Sequence, residues 1–545
     1  MYVELHARSA FSFLEGASLP EILMARCGEL EMPAMALLDR NGLYGAPRFH
    51  VTAEKLGLRA HIGAEIAVSD AGERVRPSEW LPHCVPAEPM RFPLLAESVT
   101  GYQNLCRLIT RYKLREDTKA EGAATLADIQ EHAEGLVCLT GGDEGPLASA
   151  LSRGGFDEGL TEVQRLVNLF GPRNVYVELQ RHCDRAEEYR NQAAVRIART
   201  LRLPVLATNG VSHAKPRDRE VMDVLTTIRH HCTLETAGHL LALNSERYLR
   251  SPREMQELFH DLPEAIGNTI ELSARLSYQM RDLGYRFPNY PVPDGETMQS
   301  FLEKRTEEGV RDRYLPKRDA KLFEKAKQQA QRELVLIGQL ELAGYFLIVW
   351  DIVRFCRREG ILVQGRGSAA NSVVCYALGL TAIDPVGMEL LFERFLSAER
   401  GEWPDIDLDL PSGDDRERAI QYVYQRYGEL GAAMTANVIT YRGKSAAREV
   451  GKVLGFDAKT LDRLTKLVGA WEWKGPTDTL HGSFRTAGLD IHHRSIATYL
   501  DICERMQDLP RHLGQHSGGM VICAGQLNAV VPLERASMPG RTVIQ

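Results

Sequence analysis

The sequence of 545 residues is longer than one hydrophobic core usually organises, so several domains are expected. Its composition, 44% hydrophobic and 26% charged, is that of an ordinary globular protein and excludes a low-complexity chain. The net charge of −7 excludes a uniformly basic nucleic-acid coat, although local basic patches can offset acidic ones.

The first part of the chain, to about residue 280, alternates short aliphatic strands with helical stretches. Strands are predicted at 34–38, 135–139 and 204–207, a rhythm that is typical of α/β folds. No basic leader precedes them, and no apolar run is long enough to cross a membrane. The ten cysteines contain no CxxC pair, which favours reduced thiols in the cytoplasm.

The second part of the chain begins with prolines at 286–295, which predict a linker. A long helical region follows at about 298–342, then a strand at 361–363 and a helix at 369–378. The pattern from 414 to 467 is mainly helical, and the tail from 519 onward returns to strands.

Residues 403–410 alternate carboxylate and aliphatic side chains, which predicts a β-strand because successive side chains leave a strand on opposite faces. Asp405, Asp407 and Asp409 share one face, and Ile406, Leu408 and Leu410 share the other. Two divalent cations would remove the repulsion between these carboxylates, and two metals are what nucleotidyl transfer uses. The alternative is a solvated acidic edge strand that blocks unwanted pairing.

Residues 363–372 are predicted to form a strand, a small-residue turn and the start of a helix. Gly365 and Gly367 let backbone N–H groups point into one space, and Ser368 adds a side-chain donor. This turn predicts a polyphosphate cradle, although a plain helix-capping turn is the alternative. It is neither a Walker A loop nor a GxGxxG motif. Beside the acidic strand, it supplies the minimal equipment of a nucleotidyltransferase.

Basic side chains downstream suggest how a nucleic acid would be held. Arg394 is predicted to bind phosphate, or to pair with a neighbouring glutamate. Lys444, Arg448 and Lys452 recur every four residues on one helix face, which either follows a phosphate backbone or is a solvated surface. His516 opens a predicted tight turn that ends at Gly519, with a structural hairpin as the alternative.

Several long motifs in fixed order resemble those of the bacterial C-family DNA polymerases, the DNA polymerase III α subunits. They include GRGSAANSVVCYALGLTAIDP, PDIDLDLPSGDDRERAIQYVYQRYG, ANVITYRGKSAAREVGKVLG and HSGGMVI. The detailed sequence of these motifs, together with PLERASMPGR, is most similar to the error-prone branch used in damage-induced mutagenesis. The resemblance covers nearly the whole chain.

The resemblance implies a multidomain α/β and α+β fold. A PHP-type (β/α) barrel is expected at 1–281, a polymerase β-like nucleotidyltransferase palm at 282–436 and 511–545, and an inserted, mainly helical thumb at 437–510. The implied activity is error-prone, translesion DNA polymerisation, in which dNTPs are added to a primer 3′ end by a two-metal mechanism.

The resemblance also implies residue roles. Asp405 and Asp407 would ligate two Mg²⁺ ions, and Asp409 would support them. Gly365, Gly367, Ser368 and Arg394 would lie near the nucleotide phosphates, and Lys444, Arg448, Lys452 and His516 would contact DNA. The implied partners are primer–template DNA, dNTPs, a sliding clamp and mutasome proteins, the last two through regions absent from this sequence, and no membrane.

The N-terminal region resembles a PHP domain whose metal-ligand set is incomplete. His6, Asp39, Glu65 and His182 match ligand positions, but Arg8, Arg40, Arg91, Gly210 and Ser212 replace the others. Arginine has no lone pair for a cation and adds positive charge. We expect a scaffold without catalytic metals, which disfavours the alternative of a PHP-type phosphoesterase.

The family places a third catalytic aspartate on a strand shortly after the segment that matches 531–545, and the fingers domain follows it. Because this sequence ends at Gln545, we expect a fragment without the third carboxylate. Such a chain would have little polymerase activity by itself and could act as a DNA-binding or scaffold module.

Overall fold

The computed structural model describes residues 1–69, 89–115, 122–281, 283–396, 404–467 and 493–545. The chain divides into two compact units. The first comprises Met1–Leu283, Met434–Gly519 and Asn528–Gln545, and the second comprises Gly284–Ala433 and Met520–Leu527. The segment predicted as the second palm part therefore contributes residues to both units.

The α-helices and β-strands are numbered in chain order. The helices are α1 (Pro20–Glu29), α2 (Ala46–Leu56), α3 (Val99–Lys113), α4 (Leu126–His132), α5 (Pro146–Phe170), α6 (Arg185–Leu201), α7 (Arg219–Arg229), α8 (Leu234–Ala237), α9 (Pro252–Leu258), α10 (Pro263–Arg275), α11 (Met298–Tyr314), α12 (Ala320–Gln339), α13 (Ala343–Arg358), α14 (Val373–Ala377), α15 (Asp414–Tyr427), α16 (Gly443–Val453), α17 (Ala458–Leu467) and α18 (Arg494–Arg505). The strands are β1 (Ala34–Arg40), β2 (Arg59–Val68), β3 (Met90–Ala96), β4 (Leu136–Leu139), β5 (Val175–Leu179), β6 (Val205–Ala207), β7 (Gln364–Arg366), β8 (Asp407–Asp409), β9 (Ala432–Thr440), β10 (Pro510–Ile522), β11 (Leu533–Arg535) and β12 (Thr542–Ile544).

The first unit contains a six-stranded mixed sheet in the order β1-β2-β3-β4-β5-β6. The pairs β1–β2, β4–β5 and β5–β6 are parallel, and β3 is antiparallel to both of its neighbours. The N-terminal segment bridges β1 through Glu4 and Met35, and it bridges Val211, beyond β6, through Ala7. Because one short segment reaches both ends of the sheet, the sheet is curled. Residues at the ends of its strands surround a cleft.

The same unit contains a second sheet, in the order β10-β9-β12-β11, and a helical cluster. Ala446, Ala447 and Val450 of α16 are buried in one core with Val224 of α7 and Tyr499 of α18. Apolar residues at this spacing fall on one helix face and leave the opposite face to solvent. The packing therefore fixes which face of α16 is exposed.

The second unit is built on α11–α14 and a two-stranded antiparallel sheet of β7 and β8. Its core includes Phe346 and Leu347 of α13, together with Phe392 and Phe395. Ile406 and Leu408 pack against this core from the acidic strand. The core thus supports the residues around the acidic strand from behind.

The element boundaries differ from the sequence prediction in several places. The strand predicted at 361–363 lies at Gln364–Arg366, because the N–H of Ile361 still closes α13 by donating to Cys356 O. The helix predicted at 369–378 is a 3₁₀ turn, Gly367–Asn371, followed by α14. Strand β9 lies inside the region predicted as mainly helical, since a short apolar run does not distinguish helix from strand.

Within the described residues, no single helix is long and apolar enough to cross a membrane. The consecutive helices α12 and α13, bent by 116°, together meet the same criteria of length and composition.

Candidate functional site

The acidic strand lies in the second unit with the predicted alternation. Asp405, Asp407 and Asp409 are exposed, and Ile406, Leu408 and Leu410 are half-buried, while Trp403 lies outside the described residues. Only Asp407–Asp409 pair as strand β8, and the peptide before them is fixed because Ile406 N–H donates to the Tyr345 hydroxyl at 2.9 Å. Three carboxylates therefore face solvent on a segment whose other face is anchored.

Arg366 is a cation already held by two of these carboxylates. In the β7–β8 register it stands opposite Asp407. Its guanidinium lies 2.9 Å from Asp409 Oδ1 and 3.5 Å from Asp407 Oδ2. No local sequence pattern places this arginine in the site, because the pairing depends on strand register.

The donor chemistry of the acidic strand fits Mg²⁺. Mg²⁺ prefers oxygen ligands and commonly takes one or two carboxylates, with water and substrate phosphates in its other positions. Asp405 and Asp407 supply such carboxylates, and the ion pairs with Arg366 show that the strand attracts positive charge. These two aspartates are the residues that would hold the metal.

The predicted phosphate cradle lies beside the acidic strand. Gly367 has a φ of +71°, a left-handed conformation that favours glycine, and a Cβ at this position would lie 3.8 Å from Asp407 Oδ2. Gly365 is tied down because its N–H donates to Leu380 O at 2.6 Å, where a Cβ would collide. Ser368 is half-buried in the 3₁₀ turn Gly367–Asn371.

Arg394 belongs to a second 3₁₀ turn, Phe392–Arg394, that contacts the turn Gly367–Asn371. Phe392 and Phe395 are buried with ring centroids 6.1 Å apart, while Arg394 is exposed. The structure thus gathers the acidic strand, the glycine turn and Arg394 in one unit.

Glu333 of α12 binds the chain directly after the cradle turn. No local sequence pattern indicates this role. Glu333 is fully buried and accepts hydrogen bonds from Ser372 Oγ at 2.8 Å and from the N–H groups of Val373 and Val374 at 3.0 Å each. Burial raises the pKa of Glu333 to about 7, against the opposing effect of these hydrogen bonds. The carboxyl therefore caps α14 immediately after the cradle turn.

The predicted DNA-contacting residues lie in the first unit. Lys444, Arg448 and Lys452 are exposed on the solvent face of α16, with Arg448 3.6 Å from Asp462 and Lys452 3.2 Å from Glu449. His516 lies inside strand β10 and not in a separate tight turn, and its Nδ1 accepts the N–H groups of Gly518 and Gly519.

The strand ends of the curled sheet surround a cleft of about 730 Å³ that includes the predicted PHP-type residues His6, Glu65 and His182. His6 Nε2 lies 2.6 Å from Glu65 Oε1, and its Nδ1 lies 2.7 Å from Glu178 Oε1. Although burial opposes the charged ring, these carboxylates raise the pKa of His6 to about 10. Both ring nitrogens therefore face carboxylate oxygens, an arrangement that favours the doubly protonated ring, which has no lone pair for a metal.

Glu15 is the centre of an arginine cluster in this cleft. Its Oε2 lies 2.7 Å from Arg91 Nη1 and 3.7 Å from Arg8 Nη1, and its Oε1 pairs with Arg40 and lies 3.2 Å from Arg229. No local sequence pattern indicates a role for Glu15, because its arginine partners come from separate parts of the chain.

Arg8 and Arg91 also reach the other carboxylates of the cleft. Both guanidinium groups contact Glu144, at 3.4 and 2.7 Å, and both lie within 4 Å of Glu65. Despite burial, Arg8, His6 and Arg91 hold the pKa of Glu65 well below its ordinary value. The arginines thus supply the positive charge that these carboxylates require.

Asp39 and His182 are used structurally. Asp39 does not line the cleft, and its carboxylate accepts Ser9 N–H, Ser9 Oγ–H and Ser12 Oγ–H at 2.8 to 2.9 Å, although burial raises its pKa to about 6. His182 places Nδ1 2.8 Å from Glu187 and Nε2 2.9 Å from the Asn209 carbonyl. Both of its ring nitrogens therefore face oxygen acceptors.

The residues of this cleft do not fit a catalytic metal centre. His6 and His182 face oxygen acceptors, and Glu15, Glu65 and Glu144 pair with arginines. Within the part of the chain that the structure describes, no group of three or more His, Cys, Asp or Glu side chains is arranged to hold a metal ion.

Comparison with known protein families gives two matches. The model described as bacterial DNA polymerase III alpha NTPase domain matches residues 300–545, and the PHP domain model matches residues 4–182. Together they assign the curled sheet to a PHP domain and the acidic strand to the polymerase III α domain.

Curated relatives match this chain along its whole length. An error-prone DNA polymerase of Mycolicibacterium paratuberculosis is 41% identical over 545 residues, which are 100% of this chain and 48% of the relative. Those of Mycobacterium tuberculosis and Anaeromyxobacter sp. are 41% and 38% identical, with 100% of this chain and 47% and 52% of the relatives covered. The chain spans about half the length of the curated relatives it matches.

Proposed function

Because this chain carries a PHP domain followed by a polymerase III α domain and belongs to the bacterial DNA polymerase III α family, we propose that it takes part in error-prone DNA synthesis of the damage-induced, translesion type. The observation that carries the proposal is that the glycine turn lies beside the acidic strand and contacts the Arg394 turn, all within the second unit. The names of its relatives support the error-prone branch.

The proposed reaction joins a dNTP to a primer 3′ end. The primer hydroxyl attacks the α-phosphorus of the dNTP, and pyrophosphate leaves. Mg²⁺ bound by Asp405 and Asp407 would stabilise charge on the attacking and leaving oxygens. The Gly365–Ser368 backbone and Arg394 would orient the triphosphate, since N–H groups and guanidinium groups both bind phosphate oxygens.

Arg366 has a proposed supporting role. Its ion pairs with Asp407 and Asp409 keep these exposed carboxylates from repelling each other before substrate arrives. Lys444, Arg448, Lys452 and His516 would hold the primer–template backbone. The PHP domain would serve as a scaffold without catalytic metals, because arginines occupy its cleft.

The substitution Asp405→Asn in the full-length protein tests the synthesis site. We expect primer extension to fall at least about a hundredfold, because a metal ligand is lost, while DNA affinity stays unchanged. Asp414→Asn, at an exposed position at the start of α15, is the matched control and should extend primers normally. Undiminished synthesis by Asp405→Asn would contradict the proposed role and favour a scaffold or DNA-holding function.

The isolated 545-residue chain is expected to extend primers poorly with Mg²⁺ and dNTPs, because it spans only about half the length of its curated relatives. A primer-extension assay comparing this chain with the full-length protein, at equal DNA occupancy, measures the difference. Robust incorporation by the short chain would show that the two aspartates suffice.

A further inference from the structure

A second cleft in the first unit, of about 750 Å³, contains only one residue of the proposed DNA contacts, Lys452. It is formed by the turn after Ser12, the ends of β1, α3 and α7, the side of α16, and strands β10 and β11. We call it the basic cleft after its six cationic side chains. These are Arg40, Lys113, Arg229, Lys452, Arg511 and Arg535.

Positive charge exceeds negative charge in the basic cleft. Among the described residues, three carboxylates line it, those of Glu15, Glu449 and Glu534, so the six cations leave an excess of three positive charges with the histidines neutral. A concave surface lined by charge of one sign concentrates counter-ions, because its low-dielectric walls focus the field. The basic cleft therefore attracts anions.

Each of these carboxylates is already paired with a cation of the cleft. Glu449 lies 3.2 Å from Lys452, and Glu534 lies 3.8 Å from Lys113 and accepts the Tyr44 hydroxyl at 2.6 Å. Glu15 pairs with Arg40 and Arg229. Carboxylates neutralised in this way repel an entering anion only weakly.

Two of the cationic side chains that line the basic cleft are exposed to solvent. Arg511 and Lys452 are exposed, and the Arg511 guanidinium carbon lies 5.9 Å from the centroid of the buried Tyr441 ring. A guanidinium positioned over an aromatic face keeps its N–H fork available at its edges, and that fork matches the oxygens of a phosphate.

Half-buried aromatic side chains line the same cleft. Phe13 and Tyr44 form an edge-to-face pair with ring centroids 5.1 Å apart. Aromatic rings beside a basic groove are the combination with which proteins bind nucleotides, since bases stack on the rings and phosphates meet the cations. A volume of about 750 Å³ is within the range of small-ligand sites.

We propose that the basic cleft binds a nucleotide, with its phosphate against Arg511 and Lys452 and its base toward Phe13 and Tyr44. The nucleotide belongs either to a single DNA strand or to the free pool. Binding does not need Mg²⁺, because the cleft supplies cationic side chains and its carboxylates are paired. The inference goes beyond the proposed synthesis site, whose phosphate contacts lie in the second unit.

Fluorescence anisotropy of the 545-residue chain in excess EDTA tests the proposal. The probe is a short fluorescein-labelled oligothymidylate, and unlabelled dTTP is the competitor. We expect Arg511→Ala to weaken binding about tenfold, equivalent to about 1.4 kcal/mol. The slope of log affinity against log salt should fall by about 0.7.

Arg253→Ala is the matched control. It removes the same charge from α9, at a side chain that is 88% exposed and outside the cleft, and should leave binding unchanged. Because Arg511 is exposed, its replacement should also leave the thermal unfolding midpoint unchanged.

The two probes distinguish the source of the nucleotide. Binding of the oligonucleotide without competition by dTTP supports a strand-binding cleft, and competition by dTTP supports a free-nucleotide site. The proposal is overturned if neither probe binds in EDTA, or if Arg253→Ala weakens binding as much as Arg511→Ala. Loss of primer extension in Asp405→Asn bears only on the synthesis site, so the two proposals fail independently.

Discussion

In the cleft of the PHP domain that contains His6 and Glu65, one carboxylate pairs with guanidinium groups from four separate parts of the chain. Glu15 is buried among Arg8, Arg40, Arg91 and Arg229. A buried carboxylate is stable only when compensated by charge or hydrogen bonds. Arginine meets this need without a metal, since its guanidinium stays protonated and donates in several directions.

His6 provides a test of this electrostatic arrangement at the residue scale. Its pKa is raised from an ordinary 6.5 to about 10, so its contribution to stability is complete below pH 6.5 and is lost as pH rises through about 10. We expect the stability difference between wild type and His6→Asn, about 3 kcal/mol at pH 6, to shrink by about 1 kcal/mol per pH unit between pH 7 and 9.5.

Urea unfolding at several pH values measures this difference, and His61→Asn is the control. His61 is buried and donates to or accepts from Ser273 Oγ, but burial and Arg59 lower its pKa to about 3. Its stability difference should stay constant above pH 7. A constant difference for His6→Asn as well would contradict a charged His6 between Glu65 and Glu178.

At the scale of elements, the 3₁₀ turn Gly367–Asn371 connects sequence to site. The sequence predicted the turn and the acidic strand, because glycines and alternating carboxylates leave local signals. It did not indicate that Arg366 would pair with Asp407 and Asp409, or that Glu333 would cap α14. Those contacts depend on strand register and on a helix from elsewhere in the chain.

The substitution Gly367→Ala tests the cradle in the full-length protein. Its φ of +71° is unfavourable for alanine by about 1–2 kcal/mol, and the added Cβ faces Asp407. We expect the KM for dNTP to rise about tenfold or more, with a smaller change in DNA affinity.

Gly360→Ala is the matched control for backbone strain. Gly360 has a φ of +72° at the end of α13, and a Cβ there would meet nothing within 4 Å among the described residues. It should lower stability by a similar amount without changing the KM for dNTP. Equal KM changes in both variants would mean that the cradle contributes only to folding.

At the scale of the whole molecule, the first unit combines three parts of the chain. Its PHP domain, helix α16 and strands β10–β12 share cores and hydrogen bonds, as between Tyr102 Oη and the Val530 carbonyl at 3.0 Å. We expect burial of apolar surface between sequence-distant segments to stabilise the unit without a metal.

Metal analysis tests this view. We expect the purified protein to contain no stoichiometric zinc or manganese, and its thermal unfolding midpoint to be unchanged by EDTA, since arginines neutralise the cleft carboxylates. Elemental analysis and unfolding scans with and without chelator measure both quantities. Stoichiometric metal bound at the cleft together with nuclease activity would contradict the scaffold role.

The sequence by itself determined the fold class, the family and the acidic strand, and the family resemblance predicted arginines at positions where a PHP domain has metal ligands. Each depends on local pattern or residue chemistry, and the family and fold class are confirmed by the matching domains. Only the tertiary structure decided that Glu15 pairs with four arginines, that Asp39 is not among the residues lining the first cleft, and that six cationic side chains line a second cleft. These arrangements join residues hundreds of positions apart, and no local pattern encodes the distances between them.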